Sequence, residues 1–240
     1  MPGAIIIGVG PGIGLSVARR FARGGMPVSV IARTRGAIDA AAGTLRRDGA
    51  QVTGLLADST DEVALRSALE TAEDRYGVPD VLVYNAALVR RDRLGELSAA
   101  QLLGTWAVNV GGAVTAAAHT GRKMAAAGHG TLIITGGLPE PLPESFSLSL
   151  GKAGVRTLVG LLDQELGPSG IHVTTVTVHG GVAPGTAFDP DEIAETYWQL
   201  HRQPREEWTR EVAYTGPSAM DLRCRLQAGG ELGHDVRRRL

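Results

Sequence analysis

A glycine-rich turn close to the N-terminus places the strongest constraint on the fold of this chain. The apolar residues 5–7 before it are typical of a buried parallel strand. Glycines then occupy every second position: Gly8, Gly10, Gly12 and Gly14. Beyond the turn, Ile13, Val17 and Phe21 have the spacing of one helix face. This order leaves backbone N–H groups and the positive end of a helix dipole free to bind a pyrophosphate, which predicts a dinucleotide-binding unit.

The register of the glycines distinguishes two dinucleotide-binding patterns. The pattern GxGxxG would need a glycine where the chain has Ile13, whereas GxxxGxG fits Gly8, Gly12 and Gly14. The second spacing resembles that of the short-chain dehydrogenase/reductase family, which usually has threonine where this chain has Ile7. The alternative is a turn that only connects two elements. We expect five residues of the turn to contact the cofactor: Gly8, Pro11, Gly12, Ile13 and Gly14.

Size and composition narrow the class of protein. A chain of 240 residues suits one α/β domain with a full sheet between two helical layers. The net charge of −1 gives no general attraction to nucleic acid or membrane, and no stretch approaches the length of a membrane span. Cys224 is the single cysteine, which excludes an internal disulfide and a cysteine metal cluster, and we expect no metal. A cytoplasmic location is expected, because the apolar start is shorter than a signal sequence.

The residue after the second predicted strand, residues 28–32, indicates which dinucleotide binds. An acid at this position binds the ribose 2′-hydroxyl of NAD, whereas an arginine accommodates the 2′-phosphate of NADP. Arg33 and Thr34 stand here, and no carboxylate follows until Asp39. A solvated loop arginine is the alternative. We expect NADP(H) as the cofactor, with Arg33 and Thr34 in contact with it, because guanidinium forms bidentate pairs with phosphate.

Strands and helices alternate along the rest of the chain. This alternation predicts an α/β fold with one doubly wound parallel sheet, a Rossmann-type single domain over residues 1–215. Residues 216–240 contain five arginines, several glycines and little apolar periodicity, so we expect a flexible C-terminal tail. Its basic end is interpreted as a solvated terminus rather than a nucleic-acid site.

Further segments resemble the cofactor loops of the same family. Asp58 and Ser59 follow the third strand where the family has an adenine-contacting Asp, although these residues could also cap the next helix. Asn85-Ala86 matches the centre of the family's Asn-Asn-Ala-Gly, whose Asn ties neighbouring strands together and whose backbone approaches the ribose. Gly180 and Val182 lie in a loop that resembles the one along the nicotinamide.

The family's catalytic residues are only partly matched. In the family, a tyrosine four residues before a lysine donates a proton while NADPH delivers hydride, and the lysine contacts the ribose of the cofactor. Lys152 matches this lysine, so we expect it to contact the cofactor, but Leu148 stands four residues before it. Thr135 lies near the position of the family's serine. Asn109 matches an asparagine that kinks a helix and holds a water in a proton relay, or else it is a satisfied core residue. Leucine cannot donate a proton, so the resemblance implies an atypical member.

Three interpretations of the function remain open. The first is an NADP-dependent oxidoreductase with a relocated acid or a substrate such as an imine or activated alkene. The candidates for the acid are Thr135, Ser147, Ser149, His179 or a water held by Lys152 and Asn109. The second is a non-redox enzyme, and the third is a catalytically silent NADP-binding or scaffold protein. We favour the first, with Lys152, Asn109, Thr135 and His179 as the catalytic set, because hydride transfer is chemistry of the cofactor.

The substrate is expected to be a small molecule that the sequence does not identify. Its pocket would be lined by the proline-rich residues 138–147 and by residues 183–205, where Phe188, Tyr197 and Trp198 are wall or packing residues. The family resemblance further implies a homodimer or homotetramer, assembled through the long helices predicted at residues 98–127 and 151–166.

Overall fold

A computed structural model describes residues 2–216 of the chain. Seven parallel strands form one sheet in the order β3-β2-β1-β4-β5-β6-β7. The strands are β1 (Ala4–Ile7), β2 (Val28–Ala32), β3 (Val52–Leu56), β4 (Val81–Tyr84), β5 (Gly130–Thr135), β6 (Ile171–Val178) and β7 (Glu211–Tyr214).

Helices connect the strands on both faces of the sheet. The α-helices are α1 (Ile13–Arg23), α2 (Arg35–Arg47), α3 (Glu62–Tyr76), α4 (Ala99–Trp106), α5 (Gly112–Ala116), α6 (Arg122–Ala127), α7 (Phe146–Leu166) and α8 (Pro190–Arg202). The predicted long helix at 98–127 is α4 to α6, made continuous by two π-helical segments, Ala107–Gly111 and Ala117–Gly121. Short 3-10 turns at Gly167–Ser169 and Arg205–Glu207 complete the connections.

The side chains of a central strand pack into two hydrophobic cores, one on each face of the sheet, because successive side chains point to opposite faces. In β1, Ala4 and Ile6 pack into a core with α1, α2 and α8, whereas Ile5 and Ile7 pack into a core with α3, α5, α6 and α7. All four residues of β1 are buried, as the continuous apolar run predicts for a strand covered on both faces.

Polar caps set where several helices begin. The side chain of Thr34 accepts from the amide of Ala37 and starts α2, and Asp61 accepts from the amide of Ala64 and starts α3. Ser98 and Gln101 form a reciprocal capping box at the start of α4.

The order of the strands places a crevice beside β1. The chain runs outward from β1 to β3 and then crosses back to β4 on the other side of β1. In such a sheet, ligands bind outside the carboxyl ends of the strands where the order reverses. The prediction of a doubly wound parallel α/β fold is therefore confirmed. The predicted tail at 216–240 lies, apart from Gly216, outside the described residues. Within residues 2–216, no helix is both long and apolar enough to cross a membrane.

Candidate active site

A cavity of about 1290 Å³ occupies this crevice and is lined by the turns that follow the first six strands. It contains every residue predicted to bind the cofactor: Gly8, Pro11, Gly12, Ile13, Gly14, Arg33, Thr34, Asp58, Ser59, Asn85, Ala86, Lys152, Gly180 and Val182. Three of the four predicted catalytic residues, Lys152, Thr135 and His179, line it as well. Residues from both ends of the domain, such as Gly8 and Val182, therefore line one cavity.

The glycine turn is built for close backbone approach. Gly8 has a φ of +88°, and a Cβ there would lie 2.3 Å from the backbone nitrogen of Ala86. A Cβ on Gly14 would lie 2.5 Å from the carbonyl oxygen of Gly8. By contrast, a Cβ on Gly12 would meet open space, and no side chain caps the start of α1 at Ile13. The turn thus leaves room for an anion at the N-terminus of α1, where N–H groups and the helix dipole favour negative charge.

Arg33 and Asp58 lie on the β2–β3 side of the cavity. The Arg33 side chain is exposed and forms no ion pair with any described residue. The amide and hydroxyl of Thr60 donate to Asp58 at 2.9 and 2.8 Å. These bonds lower the pKa of Asp58, and the charge of Arg33 lowers it further by a smaller amount. Because Asp61 caps α3, Asp58 does not have the alternative capping role.

Lys152 lies on α7, lines the cavity and is only 7 % exposed. Its Nζ donates to the carbonyl oxygen of Thr135 at 2.7 Å. No carboxylate among the described residues pairs with it. Burial, with a smaller contribution from the charge of Arg156, lowers the pKa of Lys152 to about 8. Leu148, one helical turn earlier, lines the same cavity.

A chain of hydrogen bonds joins three elements behind the cavity. The side-chain nitrogen Nδ2 of Asn85 donates to the carbonyl oxygen of Gly8 at 2.9 Å, which orients the side-chain oxygen Oδ1 of Asn85 toward Thr135. The hydroxyl of Thr135 donates its single proton to that oxygen at 2.9 Å. The Tyr197 hydroxyl, 2.8 Å from Oγ1 of Thr135, must therefore be the donor in its own bond. Asn85 ties neighbouring strands together, as the family resemblance implies.

Asn109 lies in the π-helical segment Ala107–Gly111 and does not line the cavity. Its Oδ1 accepts from the amide of Leu88 at 2.7 Å, and its Nδ2 donates to the carbonyl oxygen of Leu88 at 3.4 Å. A Cβ on Gly151 would lie 3.0 Å from the Asn109 side chain, so α7 approaches this amide closely. Asn109 holds the loop after β4 in position through Leu88, in a local π-helical distortion of the kind often found at functional sites.

Both serines beside Leu148 form bonds that hold the structure. Ser147 donates from its hydroxyl to Asp92 at 2.9 Å, and Ser149 donates to the carbonyl oxygen of Leu142 at 3.2 Å. Asp92 is buried and also accepts from the amide of Ser147. These contacts connect the loop after β4 and the proline-rich loop to the start of α7.

The prediction that residues 183–205 line the pocket is wrong. None of them lines the cavity, because α8 packs against α1 on one face of the sheet. Phe188 packs against Tyr214 with ring centroids 6.0 Å apart. Tyr197 is completely buried, and Trp198 packs against Phe21. These aromatics are packing residues. In the proline-rich loop, by contrast, several predicted wall residues do line the cavity: Leu138, Pro139, Glu140, Leu142 and Ser145.

Sequence reasoning missed two arginines of the cavity. Arg90 and Arg91 follow the Asn85-Ala86 motif by a few residues and line its wall. Their closeness to that motif is the only sequence signal that would have suggested them, and it does not show the direction of the side chains.

Known proteins resemble this chain over most of its length. The chain is 33% identical over 196 residues to the short-chain reductase protein NovJ of Streptomyces niveus, covering 80% of this chain and 72% of that protein. It is 31% identical over 204 residues to cis-4-hydroxycyclohexanecarboxylate dehydrogenase of Sinomonas cyclohexanicum, covering 84% and 81%.

Solved structures share the fold. A short-chain dehydrogenase from Rhodopseudomonas palustris superposes with a TM-score of 0.81 at 22% identity, covering 90% of this chain and 99% of that one. A metagenomic short-chain oxidoreductase in complex with NADP gives 0.79 at 23% identity, covering 88% and 96%. The family model for short chain dehydrogenase matches residues 3–189. The glycine turn, the strand order and this match together show that the chain belongs to the short-chain dehydrogenase family of oxidoreductases.

Proposed function

We propose that this protein is an NADP(H)-dependent oxidoreductase that interconverts a carbonyl group and an alcohol, with the Lys152 ammonium as the proton donor. The observation that carries the proposal is the burial of Lys152, without a carboxylate partner in the described part of the chain, in the wall of the cavity. A buried ammonium without a counter-ion is unfavourable, so its presence in the cavity wall points to a ligand or a reaction that uses its charge.

The residues of the cavity fit NADP(H). The uncapped start of α1 and the open space at Gly12 suit the pyrophosphate, and the unpaired Arg33 suits a 2′-phosphate. Structures with the same fold are named as complexes with NADP, 5-hydroxy-NADP or NADPH, which supports this choice. When bound, NADPH would supply a hydride to the substrate carbon.

Lys152 would supply the proton to the carbonyl oxygen. One of its three N–H bonds is directed at the Thr135 carbonyl, which leaves two for a ligand. A pKa of about 8 makes the ammonium both charged at neutral pH and able to release a proton. Thr135 and Asn109 act as positioning residues in this proposal, through Lys152 and Leu88 respectively, whereas His179 is an exposed second candidate for the acid.

An activity screen tests the proposal. Consumption of NADPH by the unaltered protein is measured with ketones, aldehydes, cyclic imines and activated alkenes as substrates. The measurement is then repeated with variants of the protein. Lys152→Met should reduce kcat by about a hundredfold or more, the usual contribution of general acid catalysis, while His179→Ala should retain activity. Full activity of Lys152→Met on a carbonyl substrate would contradict the role of Lys152. Absence of NADPH binding would favour the silent or non-redox alternatives.

We also propose a homodimer or homotetramer assembled through α4–α6 and α7. Large apolar side chains are exposed on these helices: Leu103, Trp106, Val114, Leu150 and Leu161. Exposed apolar side chains on two helices that pack against each other suit an interface. Light scattering after chromatography should show an oligomer that Leu103→Asp and Leu161→Asp together dissociate. Val63→Asp, on α3 at 79% exposure, is the control that should leave the oligomer intact.

A further inference from the structure

Two arginines of the cavity have no role in the proposed reaction. Arg90 and Arg91 line its wall, and neither forms a hydrogen bond or an ion pair with any described residue. Some other arginines of the chain do form ion pairs; Arg20, for example, binds Glu195 at 2.6 Å. Arg90 is half-buried, so its guanidinium is partly removed from water without an internal partner.

The backbone that carries these arginines is fixed on both sides. Upstream, both backbone polar groups of Leu88 bond to the side chain of Asn109. Downstream, the amide of Asp92 donates to the carbonyl oxygen of Glu144, and its own carbonyl accepts from the amide of Phe146 at 2.9 Å. Such an anchored segment presents its side chains at lower entropic cost than a free loop would.

Their place in the cavity separates them from the cofactor phosphates. Arg33 follows β2 on one side of β1, whereas Arg90 and Arg91 follow β4 on the other side. The bridge between Asp92 and Ser145 draws the arginine segment toward the start of α7, which carries Leu148 and Lys152. The two arginines therefore lie at the end of the cavity near Leu148 and Lys152, which we call the substrate end.

The rest of that end is mainly apolar. Leu138, Pro139, Leu142 and Leu148 line it together with the arginines. Glu140 is the one acid that lines this end among the described residues, and it forms no ion pair with either arginine. An apolar wall beside two unpaired guanidinium groups suits a ligand with an apolar body and an anionic group, because guanidinium and carboxylate form charge-assisted, often bidentate hydrogen bonds.

From this arrangement we infer that the substrate is an organic acid, a keto acid or hydroxy acid whose carboxylate binds Arg90 and Arg91 while its apolar body contacts the proline-rich loop. The inference rests on the proposed function for the reacting group, but the recognition of the carboxylate requires only the arginines. It can therefore be tested by binding alone.

Calorimetry with matched acids and esters is the test. The probes are 4-acetylbenzoate, 5-oxohexanoate and 4-benzoylbenzoate, each compared with its methyl ester, with and without saturating NADP⁺. At least one acid should bind roughly ten- to hundredfold more tightly than its ester, as expected for hydrogen bonds to a charged group. The preference should be lost in Arg90→Gln/Arg91→Gln. Glu140→Gln should strengthen binding of the acid, because it removes a like charge.

Arg93→Gln is the matched control, because Arg93 lies on the same segment but does not line the cavity. It should keep the preference for the acid, and thermal melting should show that all variants are folded. The inference is overturned if no acid binds, if esters bind equally well, or if the double variant keeps the preference. Failure of NADP⁺ itself to bind would count against the proposed function, while the comparison without NADP⁺ would still decide whether carboxylates are recognised.

Discussion

The hydroxyl of Tyr197 lies 2.8 Å from Oγ1 of Thr135 and donates to it, because the proton of Thr135 is already given to Asn85. Tyr197 is completely buried, and burial raises its pKa. A phenol that is hard to ionise and whose proton is directed at Thr135 stabilises the end of β5 rather than reaching the cavity. The main chain of the same Thr135 then holds Lys152, so Tyr197 supports the site from behind.

Replacing Tyr197 with phenylalanine tests this supporting role. We expect Tyr197→Phe to lower the free energy of unfolding by about 0.5–1.5 kcal/mol, the net contribution of one hydrogen bond, as measured by urea denaturation. Turnover should fall by less than about tenfold, well below the loss that removal of a general acid causes. A loss of about a hundredfold or more in kcat with unchanged stability would instead identify Tyr197 as the proton donor.

The close packing of the glycine turn predicts a steric effect at Gly14. A Cβ on Gly14 would lie 2.5 Å from the Gly8 carbonyl oxygen and 2.9 Å from the Asn85 amide nitrogen. We expect Gly14→Ala to destabilise the fold by about 1–3 kcal/mol and to abolish NADPH binding. Gly36→Ala is the control, because Gly36 is helical and meets open space, and it should stabilise α2 slightly. Normal NADPH affinity in Gly14→Ala would disprove the tight contact.

The lowered pKa of Lys152 predicts a pH dependence of the reduction. If the ammonium is the acid, the rate should be highest below pH 8 and should fall as the pH rises through about 8, where Lys152 loses its proton. Lys152→Arg keeps the positive charge, so its residual activity should lack this decline, since arginine stays protonated. A profile that rises through pH 8 in the direction of reduction would contradict this role.

One buried histidine, His172, and one half-buried histidine, His201, predict loss of stability in acid. Burial lowers the pKa of His172 and of His201 below the ordinary value of 6.5, against smaller opposing effects of nearby acceptors and Asp80. The folded state then binds fewer protons than the unfolded state, so the free energy of unfolding falls as the pH drops below about 6.5. Urea denaturation between pH 7 and pH 5 should show a decrease that His172→Asn makes smaller.

The exposed His179 provides the comparison for this experiment. His179→Asn is the control for the substitution itself, because this side chain is exposed. Stability that rises on acidification would show that His172 is held as the cation, donating from both ring nitrogens to the carbonyl oxygens of Leu200 and Thr209, which lie at 3.1 and 3.0 Å.

The fold, and the meeting of the glycine turn and Arg33 in one cavity, could be predicted from the sequence because both depend on local patterns. The spacing of Gly8, Gly12 and Gly14 is a backbone requirement, and the position of Arg33 follows from the end of a buried strand. Parallel strands bring such turns to one edge of the sheet, so their meeting in a cavity could be predicted.

The substrate end could not be predicted in the same way. Whether Tyr197 lines a pocket or a core depends on how α8 packs against α1, and this is a tertiary contact without a local signal. The hydrogen bonds that occupy Thr135, Ser147 and Ser149 come from residues 50 or more positions away, or from the turn of an irregular loop. The direction of Arg90 and Arg91 depends on the anchoring of their segment by Asn109 and α7.

A titration of the purified protein with NADPH and with NADH, followed by nucleotide fluorescence, tests the central claim most directly. We expect NADPH to bind more tightly than NADH, and Arg33→Asp to remove this preference by replacing the phosphate-binding guanidinium with a repelling carboxylate. Arg35→Asp, at an exposed position that does not line the cavity, should keep it. Equal affinity for the two nucleotides, or an unchanged preference in Arg33→Asp, would contradict the assignment of NADP(H), and binding of neither would contradict the proposed oxidoreductase function.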